Sequence, residues 1–473
     1  MDEAYSYGLM NYDKLNITDN SDFFNQWHTK EYYLNYLEIE KEEAKDFSPV
    51  YENQKNDVHP PLYYLLLRIS ASFSIEHFTK WSGLILNLVI FSFSTILVYF
   101  IGKQLFRNPF YALLGCFVNG CVLIGLESFL YIRMYELANL CVLLLTYWHL
   151  KQYHKNKITI KEGFFFGIIL LLGGLTHYYF FLVALVQASI YTYYCIKHKK
   201  KECMLSYWIS IILSAGVYFA IFPYAIEHIL AGERGLSHMK TKGQIFFSLV
   251  GYLWLSNKGF FYYLLPFLFL LVGILCYSKK ERRSLQICPK SYFLLFPAVA
   301  YFIVIVITAP FIELRYLMPI YSVSVLGMIY LVKSFLKKGW NAKNTMFLTI
   351  LLFLALLQSS CFLKVQPELT YTKYHSIAQK VKQLDQPIIF VFNVDNNRFL
   401  DDIYLFTLSE KSILLNATDL TKIEEVLKEQ EDSFLLMCNE GVNEENLKFL
   451  LKDKKIEYLQ RMNAANLYRV IIE

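Results

Sequence analysis

Side chains able to do acid–base or phosphate chemistry occur in a few short motifs, each beside a long apolar run. The set is Asp2 and Glu3 in "MDEAYSYGL", Asp57 and His59 in "NDVHPP", Arg133 and Tyr135 in "IRMYEL", His177 in "LTHYYFF", and Arg315 and Tyr316 in "ELRYLMPIY". Three more carboxylates lie in or beside these motifs and belong to the same constellation, namely Glu127, Glu136 and Glu313. Ionisable groups at membrane depth are costly, so each is a candidate for function. Carboxylates, arginines and a histidine at one membrane face suit a reaction that needs a base and stabilises an anionic leaving group.

Each motif also has a purely structural explanation, and the alternatives stay open at this point. The alternatives are a solvated N-terminus for Asp2 and Glu3, a helix-entry residue for His59, snorkelling or pairing with Glu127 and Glu313 for Arg133 and Arg315, and a satisfied interfacial histidine for His177. The position of the whole set on one side of a membrane is what favours a shared function.

The composition is that of a membrane protein. Of 473 residues, 55% are hydrophobic and only 18% are charged, against about 25% charged in soluble domains. The net charge of +6 is better explained by membrane topology than by nucleic-acid binding, because no basic stripe with interleaved aromatic residues occurs. Nine cysteines without CxxC or zinc-type spacing argue against a disulfide framework or a structural metal.

Ten apolar segments are long enough to be membrane spans. They are 82–102, 109–126, 134–150, 162–178, 179–196, 205–225, 260–277, 291–310, 316–332 and 345–363. Every second connection is rich in lysine and arginine, namely those around 103–107, 151–161, 197–201, 279–290 and 333–343. The positive-inside rule makes these connections cytoplasmic, which places all the candidate motifs on the extracytoplasmic side of a multi-pass plasma membrane protein.

The apolar run that follows "NDVHPP" is too short to cross. Arg68 interrupts it, and the stretch from Leu62 to Ser74 covers only about 20 Å of a hydrocarbon core roughly 30 Å thick. The run therefore predicts a juxtamembrane or re-entrant helix that begins and ends on the outer side. Two prolines at its entrance suit the first turn of a helix.

The composition changes after Leu363. Residues 364–473 alternate apolar runs ("PIIFVF", "SILLN", "SFLLMC", "LYRVII") with helical patterns ("DLTKIEEVLKE", "NEENLKFLLKDKK"), which is typical of an α/β domain. The sequence thus predicts three regions: an extracytoplasmic first loop with juxtamembrane helices over 1–80, a transmembrane core over 81–363, and an extracytoplasmic α/β domain over 364–473.

In order and spacing, the motifs over residues 2–335 resemble those of polytopic GT-C glycosyltransferases. The similarity is carried by "DEAYSYG", "DVHPPLYYLLLRI", "ESFLYIRMYELANLCVLLLTYWHLK", "GIILLLGGLTHYYFF" and "ELRYLMPIY", and it points to bacterial relatives of protein O-mannosyltransferases and aminoarabinose transferases. The resemblance implies a GT-C type fold and inverting transfer of a sugar from a polyprenyl-phosphate carrier at the outer face. It predicts a partner of that kind, contact with membrane lipids, and a protein, lipid or polymer acceptor.

The resemblance also implies roles for individual residues. Asp2 matches the general base with Glu3 beside it; His59, Arg133, Arg315 and Tyr316 match donor-phosphate positions; and Asp57, Tyr135 and His177 are further site candidates. The sequence requires no cofactor, although Asp2, Glu3 and His59 are of the types that bind a divalent metal. Relatives carry a span before the "DE" element that is absent here, so we expect that the chain starts at an internal methionine or is truncated, and that Asp2 is poorly held.

The sequence therefore predicts an integral membrane glycosyltransferase. One alternative is a non-catalytic transporter or flippase of lipid-linked sugars, which would show paired repeats and broken helices with polar groups near the membrane midplane. Another is an envelope assembly protein whose outer domain only binds envelope components.

Overall fold

A computed structural model of the chain describes residues 2–11, 17, 23–230, 240–261, 287–335, 375–393, 400, 402–439, 442, 451–452, 454–462 and 465–472. The chain divides into two compact units. Unit 1 comprises Met1–Asn56, Tyr64–Gly83 and Gln366–Glu473, and unit 2 comprises Asp57–Tyr63 and Leu84–Val365. Unit 1 thus combines the first loop with the C-terminal segment, which the sequence analysis treats as separate domains.

The described helices are numbered here in chain order. They are α1 (Asp2–Asn11), α2 (Lys30–Leu37), α3 (Ser48–Asn56), α4 (Leu62–Ala71), α5 (Trp81–Phe106), α6 (Pro109–Cys121), α7 (Leu123–Leu130), α8 (Tyr135–Gln152), α9 (Ile160–Gly174), α10 (Tyr179–Lys197), α11 (Lys201–Ile221), α12 (Ala225–Leu230), α13 (Lys242–Phe261), α14 (Tyr292–Thr308), α15 (Tyr321–Phe335), α16 (His375–Leu384), α17 (Ile403–Phe406) and α18 (Leu420–Lys428). Short 3-10 helices at Pro289–Ser291 and Leu314–Ile320 precede α14 and α15.

Unit 1 contains a six-stranded mixed sheet in the order β1-β3-β2-β4-β6-β5. Its strands are β1 (Trp27–Thr29), β2 (Ile388–Phe392), β3 (Lys411–Asn416), β4 (Phe434–Asn439), β5 (Lys455–Arg461) and β6 (Ala465–Ile471). The central strands β3, β2 and β4 are parallel and almost entirely buried, as expected for strands covered on both faces. The four apolar runs predicted from the sequence form β2, β3, β4 and β6, and "DLTKIEEVLKE" forms α18. Most of "NEENLKFLLKDKK" lies outside the described residues.

Strand β1 explains why the first loop and the C-terminal segment form one unit. It comes from the first loop and pairs antiparallel with β3, Trp27 opposite Ile413. The next helix adds a buried polar contact, because the Ser412 hydroxyl donates to the Tyr33 hydroxyl over 2.8 Å. The predicted boundary between 1–80 and 364–473 therefore separates sequence segments that share one sheet.

Helix α1 is fastened at its C-terminal end by polar side chains. The fully buried Arg68 donates from Nη1 to the Met10 carbonyl (2.8 Å) and from Nη2 to the Glu43 carbonyl (2.7 Å). A charged group with no exposure is tolerated because carbonyls at a helix end (Met10) and in a turn (Glu43) accept hydrogen bonds from it. Closer to the middle of the helix, a Cβ on Gly8 would lie 2.0 Å from the Tyr36 ring, so only glycine permits this packing.

Unit 2 holds the candidate membrane spans. Among the described helices, five segments are long and apolar enough to cross a membrane, or six if one bent pair counts as a span. The five are α5, α10, α11, Pro289–Thr308 and Leu314–Leu331, which match the predicted spans 82–102, 179–196, 205–225, 291–310 and 316–332. Predicted span 345–363 and most of 260–277 lie outside the described residues, so the number of ten stays a prediction. Helix α4 is short, as predicted.

Four parts of unit 2 differ from the predicted simple spans. Helix α8, which covers nearly all of predicted span 134–150, is not among the candidate spans of the described helices. Predicted span 109–126 is a bent pair, α6 and α7, which meet at an angle of 63°. Gly125 permits the bend, because a Cβ there would lie 2.3 Å from the Asn119 carbonyl oxygen. Helix α9, within predicted span 162–178, has only 15 residues. Helix α13 lies where the sequence analysis placed a loop, because lysines near both of its ends shorten its apolar run.

Candidate functional site

The site begins with a histidine–aspartate pair in the turn before α4. The Nδ1 atom of His59 lies 2.7 Å from the Oδ2 atom of Asp57, and both side chains are buried. Burial acts to raise the pKa of Asp57, but the charge of His59, its hydrogen bond and the charge of Arg133 outweigh burial and lower the pKa to about 2. Asp57 is therefore an anion at neutral pH that holds the His59 ring by a charge-assisted hydrogen bond.

The backbone fixes this turn against the end of α9. After the two buried prolines, the first amide of α4, that of Leu62, donates to the Leu175 carbonyl over 2.9 Å. An orphan donor at a helix start is thereby satisfied by a neighbouring helix end. The "HPPL" motif consequently lies beside the connection that carries His177.

His177 joins this pair to the start of α8. Its ring centroid lies 6.4 Å from that of His59, 5.7 Å from that of Tyr135 and 5.3 Å from that of Tyr179. Arg133, in the connection between α7 and α8, is 3% exposed, and its charge acts on both Asp57 and His177. Three separate chain segments therefore bring these side chains together.

Arg315 and Tyr316 are connected to the same group of side chains through Tyr131, which stacks on Tyr135. The Arg315 Nη1 atom donates to the Tyr131 hydroxyl over 3.2 Å, and its Nε atom lies 2.5 Å from a Glu313 carboxylate oxygen. Its guanidinium also lies 5.5 Å from the centre of the buried Tyr316 ring. Tyr131 in turn stacks almost parallel on Tyr135, with ring centroids 6.0 Å apart.

All the predicted residues that fall in unit 2 therefore belong to one connected cluster, from Asp57 and His59 through His177 and Tyr135 to Arg315. It combines Arg133, Arg315 and a histidine that is fixed by a carboxylate. Arginine and histidine donors of this kind bind phosphate oxygens through charge-assisted hydrogen bonds. The cluster has the chemistry of a phosphate-binding site.

The two predicted catalytic carboxylates belong to unit 1. Asp2 begins helix α1, but its side chain lies outside the described part of the structure. Glu3 is described and buried, one turn before Tyr7 on the same helix. Burial, which the Gly83 amide partly offsets, and the charge of Glu3 raise the pKa of Tyr7 well above its ordinary value. Within the described residues, no group of three or more His, Cys, Asp and Glu side chains is arranged to hold a metal ion.

Several residues of the cluster were not among the predicted site residues. Tyr131 and Tyr179 contact site residues directly, but the sequence holds 37 tyrosines, so residue type alone carries no signal. The available clue is spacing: Tyr131 lies two residues before Arg133, and Tyr179 two after His177. Glu313, which precedes "LRY", belongs to the predicted constellation, and its predicted alternative role as an ion-pair partner of Arg315 is confirmed.

Glu136 belongs to the predicted constellation but has no predicted role, and in the structure it holds the start of α8 in place. Its Oε1 atom accepts hydrogen bonds from Ser94 (2.7 Å) and Asn139 (3.2 Å). Its Oε2 atom accepts from Ser128 (2.7 Å) and Tyr321 (3.4 Å). Because the donors lie on α5, α7, α8 and α15, this fully buried carboxyl connects four helices next to the cluster.

In α8 and α10, the cluster and a lysine-rich connection lie at opposite ends of the helix. Helix α8 begins at Tyr135 in the cluster and ends at Gln152, inside the basic stretch 151–161. Its 18 residues correspond to about 27 Å, close to the hydrocarbon thickness of a bilayer. Helix α10 likewise runs from beside His177 to Lys197.

Comparison with known proteins gives a structural match only. No protein-family model and no curated protein sequence matches the chain. The crystal structure of ArnT from Cupriavidus metallidurans bound to undecaprenyl phosphate is similar over 87% of both chains, with a TM-score of 0.50 and 9% sequence identity. The apo crystal structure of the same protein matches over the same share of both chains, with a TM-score of 0.49 and 9% identity. The chain therefore shares the fold of ArnT, which confirms the GT-C type fold that the sequence motifs imply.

Proposed function

We propose that this chain is an integral membrane glycosyltransferase that takes a sugar from a polyprenyl-phosphate donor and transfers it, with inversion, to an acceptor at the outer face of the membrane. The observation that carries the proposal is the cluster of buried Arg133, half-buried Arg315 and the Asp57-held His59 at one end of the unit 2 helices. ArnT of Cupriavidus metallidurans, which has this fold, has been crystallised with undecaprenyl phosphate, and this supports a donor of that class.

The proposed reaction assigns each bond change to a group. Asp2, with Glu3 beside it, removes the proton from an acceptor hydroxyl, and the acceptor oxygen attacks the anomeric carbon of the sugar. The bond between that carbon and the phosphate oxygen breaks, and the electron pair leaves with the polyprenyl phosphate. His59, Arg133 and Arg315 stabilise the negative charge that grows on the phosphate. Loss of one such donor typically raises the barrier by about 2.7–4 kcal/mol.

The sidedness of the reaction follows from lysine placement. We assign the cluster end to the extracytoplasmic side because the lysine-rich connections lie at the other end of α8 and α10, and the positive-inside rule makes those cytoplasmic. On this assignment, Asp2 and unit 1 are also extracytoplasmic.

The broken pair α6–α7 is the observation that most favours the alternative of a lipid-linked-sugar transporter. Transporter sites use broken helices with polar groups near the midplane. Here the buried carboxyl beside the break is Glu136, which lies in the first turn of α8, at the cluster end and not halfway along the helix. The geometry therefore favours an enzyme with its site at one membrane surface.

The test is turnover by the full-length protein reconstituted in liposomes with a panel of polyprenyl-phosphate sugars. We expect turnover with one sugar class, and loss of at least a hundredfold in Asp2→Asn and in Arg133→Gln. Asp432→Asn, an exposed aspartate in unit 1, is the matched control and should retain full turnover.

Two outcomes separate the parts of the proposal. Retained turnover in Asp2→Asn rejects the assigned base while leaving the enzyme class intact. Movement of intact lipid-linked sugar across the bilayer, without transfer to any acceptor, would reject the enzyme in favour of the transporter.

A further inference from the structure

The lysine-rich end of unit 2 holds a second cluster of cations, separate from the donor site. It is formed by the ends of several helices: Arg107 follows α5, His154 follows α8, Lys200 lies between α10 and α11, and Lys290 precedes α14. The charges of Lys290, Lys200 and Arg107 all act on His154 and, after burial as the larger cause, lower its pKa. Residues far apart in sequence thus converge at one place.

Aromatic rings hold two of these cations in position. Tyr153 and Tyr194 stack with ring centroids 4.0 Å apart. The Lys200 ammonium lies 5.0 Å from the Tyr194 ring centre and donates to the Lys155 carbonyl over 2.8 Å. The Lys290 ammonium lies 5.9 Å from the Tyr153 ring centre. The two lysines are therefore half-buried on one aromatic platform, where their rotamer freedom is reduced.

The cluster has no anionic partner within the part of the chain that the structure describes. Lys155 pairs with Glu162, but Arg107, Lys200 and Lys290 form no ion pair there with a carboxylate. Lys200 and Lys290 are half-buried and Arg107 is exposed. Like charges brought together where two of them are partly removed from water repel one another, so their convergence costs free energy. A bound anion would remove that cost.

Membrane topology alone does not explain the convergence. The positive-inside rule depends on the number of basic residues in a connection and not on their packing. Exposed lysines at the same end, such as Lys103, Lys161 and Lys199, already supply that signal. Basic pockets between helices at this depth are suited to phospholipid phosphates.

We propose that Arg107, Lys200 and Lys290, with His154 beside them, bind the phosphate of an anionic phospholipid headgroup at the lysine-rich end of unit 2. The site is independent of the proposed sugar transfer, since α8, about 27 Å long, separates it from the donor cluster. Its occupant supplies one or two negative charges, as phosphatidylglycerol and cardiolipin do.

The experiment measures thermal unfolding of the purified full-length protein in neutral detergent with added phosphatidylglycerol, cardiolipin, phosphatidylcholine or inorganic phosphate. We expect the two anionic lipids to raise the melting temperature and phosphatidylcholine to leave it unchanged. Arg107→Gln/Lys200→Gln/Lys290→Gln should weaken the apparent lipid affinity by about fivefold per lost cation. The triple variant Lys103→Gln/Lys161→Gln/Lys199→Gln removes the same charge from the same end and should respond like the wild type.

Single-site and free-phosphate measurements keep the proposal falsifiable if the triple variant folds poorly. Lys290→Gln alone removes no hydrogen bond of the described structure and should lower the affinity about fivefold, with fewer co-purified anionic lipids in native mass spectra. An equal lipid response in both triple variants would overturn the site. A response to inorganic phosphate but to neither anionic lipid would overturn the lipid as its occupant.

Discussion

The His59 Nδ1 atom and the Asp57 Oδ2 atom are 2.7 Å apart in a turn closed by two prolines, and the side chains are 10% and 9% exposed. A carboxylate at this distance accepts a hydrogen bond from the Nδ1–H group and so selects the ring orientation of the histidine. The rigidity of the turn adds to this, because each proline fixes one backbone angle. His59 is therefore held in a defined orientation before any ligand arrives.

Replacing Asp57 with asparagine should reduce turnover at the donor site without abolishing it. The lowered pKa of Asp57 corresponds to an interaction of roughly 2 kcal/mol with the neighbouring cations, and Asn keeps the size of the side chain but loses that charge. We expect a tenfold to hundredfold loss of turnover, measured in the liposome assay beside the Asp432→Asn control. Wild-type turnover in Asp57→Asn would show that His59 needs no carboxylate.

The same carboxyl should make unfolding sensitive to acid. Because the folded-state pKa of Asp57, about 2, is below the ordinary value of 3.8, its contribution to stability is complete above about pH 4 and is lost as the pH falls toward 2. Thermal unfolding in detergent between pH 5 and pH 2 should therefore show a smaller acid-induced decrease for Asp57→Asn than for the wild type. Parallel curves would contradict this assignment.

Tyr131 should act on the donor phosphate only through Arg315. Its hydroxyl accepts a hydrogen bond from Arg315 over 3.2 Å, and a bond from a charged donor contributes about 1.5–3 kcal/mol. We expect Tyr131→Phe to weaken donor binding by about tenfold in the wild type and to have little further effect in Arg315→Lys. Donor titrations of the four proteins form a double-mutant cycle, and strictly additive effects would show that the two residues act independently.

Glu136 should stabilise the fold strongly, although it lies next to the cluster and not in it. Glu136→Ala leaves the hydroxyl donors of Ser94, Ser128 and Tyr321 without their acceptor in a buried site. We expect the free energy of unfolding to fall by at least about 3 kcal/mol. Glu136→Gln keeps one acceptor oxygen and should lower the free energy of unfolding by less. Unfolding experiments in detergent measure this free energy for both variants. An effect of Ala no larger than that of Gln would mean that the network contributes little.

Arg68 should stabilise the helix that carries Glu3. Arg68→Met fills a similar volume but leaves the Met10 and Glu43 carbonyls without their donor. We expect the free energy of unfolding of unit 1 to fall by about 3–5 kcal/mol. Limited proteolysis within the first 56 residues reports this loss, with Lys45→Met, which replaces an exposed lysine nearby, as the control. Equal protection of both variants would show that α1 is held by packing alone.

The long apolar spans were predictable because hydropathy averages over many residues. Helices α5 and α10 follow from their sequence alone, whereas the bend between α6 and α7 depends on one close approach at Gly125. Strand β1 gave no signal at all: three residues, "WHT", show no alternation, and their pairing with Ile413 is created by tertiary contacts. Local pattern thus predicts elements better than it predicts which distant elements join.

The candidate site was partly predictable for a similar reason. Asp57 and His59 are two residues apart, so their contact is local, and Arg133 and Arg315 are conspicuous as charges beside apolar runs. Tyr131 and Glu136 gain their roles from residues on other elements, namely Arg315 for Tyr131 and Ser94, Ser128 and Tyr321 for Glu136. Local spacing does not reveal such contacts. The order of the motifs predicted a GT-C fold, and the structural match to ArnT confirms it. The roles of Asp2 and Glu3 remain predictions.

The pairing of β1 with β3 also has a consequence for biosynthesis. A ribosome makes Trp27–Thr29 before any of unit 2 and Lys411–Asn416 only after all of it, so the sheet is closed by contacts of very high sequence separation. Until then the nascent chain carries an unpaired strand edge, a feature that promotes wrong association. Closure of this sheet therefore marks the moment at which synthesis of the polytopic region is finished, and chains that stall earlier would display that open edge to quality-control proteases.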